Sequence, residues 1–93
     1  LLLSVPPADA LAAVEAAARK LPRWRVESAD PAAGTLHLTR RTRTVRYVDD
    51  VRVSVTPTAD GSRVDAESRS RVGVGDLGQN RRNILELWKA VGG

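Results

Sequence analysis

Few side chains in this sequence have both the type and the spacing to do chemistry. His37 is the only histidine and there is no cysteine. A Ser–His–Asp arrangement would therefore have to use His37, and no thiolate nucleophile is available. His37 falls on the polar side of an alternating stretch, where plain solvent exposure is expected. Zinc would find too few nitrogen and sulfur ligands. Asp49 and Asp50 form a carboxylate pair, but neighbours on a strand point to opposite faces, so each would work in its own environment. No catalytic residue, metal site or cofactor is expected.

Two further patterns invite a ligand. Gly73-Val-Gly75-Asp-Leu-Gly78 has the glycine spacing of a dinucleotide fingerprint, which requires a parallel strand–helix–strand unit and an acidic residue about 20 positions further on. The sequence ends before that point, so a turn is the better reading. Arg40-Arg41-Thr42-Arg43 with Arg46 is a basic cluster suited to phosphate oxygens. No aromatic residues interleave with it to stack bases, which argues against nucleic acid and for a solvated hairpin tip.

The elements that must position these residues follow from periodicity. Leu1 to Val5 can form a short edge strand. Pro6 and Pro7 suit the opening of a helix, and Leu11, Val14, Ala18 and Leu21 recur at helical spacing over Ala8 to Leu21, before Pro22. The period then becomes two. Trp24 and Val26, then Leu36 and Leu38, then Val45, Tyr47, Val51, Val53 and Val55 each line one side of a strand. Val64 and Ala66 continue that face after a hairpin at Asp60–Gly61. A last helix runs from Leu77 to Val91, with Leu77, Ile84, Trp88 and Val91 on one stripe and Gly92 as its stop. The order (β)αββββα predicts an α+β fold: an antiparallel four- to five-stranded meander with both helices packed on its apolar face.

Composition fits one soluble domain spanning residues 1–93. With no cysteine, methionine or phenylalanine, the core must be valine, leucine and alanine around Trp24, Tyr47 and Trp88. The net charge of +4 mildly favours acidic partners. No apolar run reaches the roughly 18 residues of a membrane span. Leu1 to Leu3 read as the end of a removed segment would place the domain in the envelope or outside the cell.

The stretch Tyr47-Val-Asp-Asp-Val-Arg-Val-Ser-Val55, the segment Ser68-Arg-Ser-Arg-Val-Gly73 and the run Gly75-Asp-Leu-Gly-Gln-Asn-Arg-Arg82 resemble the bacterial and plant family catalogued as domain of unknown function 1499. Trp24-Arg-Val26 and Ala29-Asp-Pro31 fit its earlier strand and turn. The resemblance implies a fold and no activity. It singles out Asp49, Asp50, Ser68, Arg69, Ser70, Arg71, Asp76, Asn80 and Arg81, as a structural corner or a ligand site.

The leading functional expectation is a non-catalytic binding or protein-interaction module. The alternative is a pocket for a small anion, formed by Arg69, Arg71 and Arg81 where the final strand meets the last helix; an enzyme ranks third. Three structural expectations accompany these. Asp76 should cap the last helix, with Gln79 reaching back to it. Trp88 should pack on the sheet with Ile84 and Val91. A two-residue turn at Asp60–Gly61 would place Asp50 opposite Arg71, and would send Asp49 inward to accept hydrogen bonds from the glycine turn or from Arg81.

Overall fold

In the computed structural model, residues 1–41, 48–71 and 77–92 are described. The elements are β1 (Leu2–Leu3), α1 (Pro7–Lys20), β2 (Trp24–Asp30), β3 (Thr35–Arg41), β4 (Val48–Thr58), β5 (Gly61–Ser70) and α2 (Leu77–Gly92). The strands form one antiparallel sheet in the order β1-β5-β4-β3-β2. This is the expected α+β meander, with β1 as a fifth strand at the edge.

α1 opens with Pro6 and Pro7 and carries Asp9 in its first turn and Arg19 and Lys20 in its last. That distribution complements the helix dipole. Its small buried side chains, Ala10, Val14, Ala17 and Ala18, let the helix lie close against the sheet. The opposing surface is Leu36, Leu38, Val51, Val53 and Val55, with Val64 from β5 and Leu87 from α2. α1 spans β2 to β5, while α2 packs on β5 and on α1. Both helices therefore cover the same face.

The hairpin between β4 and β5 differs from expectation. Thr58 pairs with Gly61, so Ala59 and Asp60 form the turn, and Val55, Val53 and Val51 face Val64, Ala66 and Ser68. The shift is two residues, which preserves the face of every side chain. Gly61, at φ 152°, sits under the edge strand, and a Cβ there would lie 2.1 Å from the Leu3 carbonyl oxygen. A side chain there is excluded both by that positive φ at the hairpin and by the passage of β1.

α2 is also rotated from the expected stripe. Its buried line is Asn83 and Leu87, both fully enclosed; Trp88 and Val91 are half-buried and pack on the core from its flank. Asn83 is polar and breaks the apolar period, which hides the true centre line. The expected cap at Asp76, most of the glycine turn, and Arg43, Val45, Arg46 and Tyr47 lie outside the described residues.

Candidate functional site

Strand alternation divides the family-signature residues between the two faces of the sheet. On the inner face the last cross-strand row is Trp24, Arg40, Asp49 and Ser70, next to the row Val26, Leu38, Val51 and Ser68. The apolar face thus ends in a polar strip, which α2 covers with residues one turn apart.

Asp49 is only 2% exposed. A buried carboxylate needs donors, because desolvation of an unpaired charge costs several kcal/mol. The Asn83 side-chain amide supplies one, donating to Asp49 at 2.7 Å and also to the Ser68 hydroxyl at 3.2 Å. Ser68 in turn donates to the Asn80 side-chain oxygen at 2.7 Å, and Gln79 donates to the Asn83 oxygen at 2.8 Å. Among the described residues no buried side-chain polar atom lacks a partner. The expected donor Arg81 is exposed instead. Two residues of an α-helix subtend about 200°, so Arg81 and Asn83 cannot both face the sheet.

A second inner contact joins the opposite edge to α2. Glu86 accepts hydrogen bonds from the Trp24 indole nitrogen and from Arg40 Nε, the latter at 3.0 Å. Burial raises the Glu86 carboxyl, but the Trp24 and Arg40 hydrogen bonds and the charges of Arg40 and Arg23 outweigh it, leaving the group below its usual range. Arg40 therefore does not belong to a solvated hairpin tip: its side chain is 13% exposed and tied down. Arg41 is exposed.

The outer face holds the other half of the signature. Asp50 lies opposite Arg69 in the ladder, yet its carboxylate is taken by Arg71, whose Nε and one terminal nitrogen both donate at 2.9 Å. The ion pair is diagonal rather than directly opposite. His37 Nε2 lies 2.7 Å from the same carboxylate, so His37 is half-buried and engaged, not simply exposed. The Arg71 hydrogen bonds, against partial burial and with help from His37, hold the Asp50 carboxyl down to about 2. Arg69 is paired with Glu67.

Asp49, Ser68 and Asn80 are therefore brought together inside, with Ser70 opposite Asp49, while Asp50 and Arg71 meet outside. Asn83, Glu86, Arg40 and His37 were not singled out as partners by sequence reasoning. Asn83 had one detectable signal: it lies four residues from both Gln79 and Leu87, on one helical face. The Glu86 contacts join residues 46 and 62 positions apart and leave no local trace.

No group of three or more histidine, cysteine or acidic side chains among the described residues could hold a metal. No described helix is long and apolar enough to cross a membrane. These features define an α+β domain with one helical layer and a hydrogen-bonded corner between sheet and last helix. The chain belongs to the family described as protein of unknown function (DUF1499), which it matches over residues 1–91. No curated protein and no solved structure matches it.

Proposed function

We propose that this domain is a non-catalytic binding or protein-interaction module, whose signature residues lock the corner that supports a presented surface. The observation that carries this is the bidentate Arg71–Asp50 pair. Together with Arg69 on Glu67, it neutralises two of the three arginines that an anion pocket would need; the third, Arg81, is exposed on α2. The inner network supports the same reading, because Asn83 spends both its amide protons and its oxygen within the fold. His37 has a carboxylate partner, yet no described hydroxyl hydrogen-bonds to it to serve as a nucleophile.

The test places a photo-crosslinking residue singly at Ala12, Ser54 or Leu85, all exposed, in cells of the source organism. One discrete protein adduct at one of these positions is expected. In parallel, the purified domain is melted with phosphate, sulfate, citrate and a nucleotide at matched ionic strength. A saturable rise in Tm with any of them, abolished by Arg81→Ala, would overturn the module in favour of an anion pocket.

A further inference from the structure

The outer face of the sheet is covered by neither helix. It holds an open hollow of about 660 Å³, bounded by His37, Arg52, Ser54, Asp65 and Glu67 among others. A second hollow of about 350 Å³ adjoins it and shares Arg52 and Glu67. Arg52 stands on the central strand, with His37 opposite on one side and Glu67 on the other.

Three basic side chains line the two hollows: His37, Arg52 and Arg69. His37 is held by Asp50 and Arg69 by Glu67. Arg52 makes no ion pair or hydrogen bond with any described side chain, although Glu67 is its direct cross-strand neighbour. Its planar fork of donors is therefore left facing the hollow, in the form that binds a carboxylate through two parallel hydrogen bonds. The hydroxyls of Ser28, Thr35 and Ser54, which line the same hollow, are likewise unengaged by described side chains.

The surrounding charge narrows the ligand. Asp65 and Glu67 border the hollow but are engaged by Arg63 and Arg69, and Asp30 lines it from β2, so Arg52 is the one cation of the hollow without a described carboxylate partner. A single carboxylate balances that one charge, whereas a phosphate or polyanion brings more negative charge than it can balance. Small-molecule sites are usually enclosed and largely apolar; this hollow is open, carries charged and hydroxyl side chains, and runs across β2, β3, β4 and β5, about 14 Å at the usual strand spacing.

Resting on the interaction-module reading, we propose that this outer face docks an extended polypeptide segment of a partner protein, anchored by one aspartate or glutamate side chain on Arg52. The hydroxyls of Ser28, Thr35 and Ser54 flank that anchor and receive the segment's backbone.

The test is selection of a displayed random-peptide library on the folded domain, followed by binding measurements on the recovered peptides. Enriched peptides are expected to share an acidic residue, and to bind Arg52→Gln roughly tenfold more weakly, the equivalent of one charge-assisted hydrogen bond. Arg52→Lys should fall between the two, since lysine keeps the charge but not the fork. Ser54→Glu, a like charge set beside the anchor, should also weaken binding, and Arg81→Gln should change nothing. Thermal melts of each variant establish that it is folded. Peptides that enrich without an acidic residue, or that ignore both Arg52→Gln and Ser54→Glu, would overturn the anchor while leaving the interaction module standing. Failure of any peptide to enrich would overturn the docking of an extended segment, while the module itself stands or falls on the crosslinking. Inorganic phosphate binding at Arg52 as tightly as the peptides would replace the segment with a simple anion.

Discussion

The side-chain amide of Asn83 donates to the carboxylate of Asp49 across 2.7 Å, and the two residues are 0% and 2% exposed. One comes from the middle strand of the sheet and the other from the last helix, 34 positions later. The bond both satisfies a buried charge and sets the rotation of α2 on the sheet. Asn83→Ala removes the donor and leaves the carboxylate enclosed, so a loss of about 3 kcal/mol is expected. Urea denaturation measures it. A loss below about 1 kcal/mol would mean that Asp49 does not depend on Asn83.

The outer pair should show itself as acid sensitivity. The Asp50 carboxyl is lowered from 3.8 to about 2 by Arg71 first and His37 second, against burial. A carboxyl depressed on folding stabilises the native state above its unfolded pKa, and that stability is lost as pH falls through the folded value. The contribution is thus present near neutrality and disappears as pH falls from about 4 to about 2. Asp50→Asn should lower stability near neutrality by at most about 1 kcal/mol, as for a partly exposed cross-strand pair. The difference from the wild type should vanish at the acid end. A difference that does not change with pH would show that Arg71 contributes packing rather than charge.

Gly61 should resist any side chain. Its backbone is at φ 152°, and an added Cβ would lie 2.1 Å from the Leu3 carbonyl oxygen and 2.9 Å from Ser4 Cα. These are backbone atoms, so β1 itself must move. Gly61→Ala is expected to cost about 2 kcal/mol and to release the edge strand. Amide exchange at Val64, which donates to the Leu1 carbonyl at 2.7 Å, should accelerate more than at the central Val53. Unchanged protection at Val64 would show that β1 tolerates the methyl group.

The rotation of α2 is tested by two leucines two positions apart. Leu87 is fully enclosed and Leu85 is 55% exposed. Leu87→Ala should cost about 3 kcal/mol through lost burial and a cavity. Leu85→Ala should stay within about 0.5 kcal/mol. Equal losses, read from thermal or urea unfolding, would contradict the placement of the helix.

Alternation of side chains was enough to read which face of each strand points inward, and that included the inward aim of Asp49, because a strand's period of two is a local property of the backbone. The spacing of alanine, leucine and valine was likewise enough to find α1 and the face it buries. Sequence alone determined the meander, the single helical layer and the need for a partner at Asp49.

The identity of that partner was decided only in three dimensions. Asn83 reads as polar on an otherwise apolar stripe, and its role appears once α2 lies across the end of the sheet. The β4–β5 register likewise shows only in three dimensions: Gly61 marks a hairpin locally, yet it pairs with Thr58 beside the turn, where β1 from the far end of the chain passes close to it. Arg40 read as part of an exposed cluster until Glu86, 46 residues away, drew it inside. Short-range patterns record which face a residue occupies, because that depends only on its neighbours in the chain. Which two faces meet, and in what register, depends on packing between elements distant in sequence, and no local pattern carries that information.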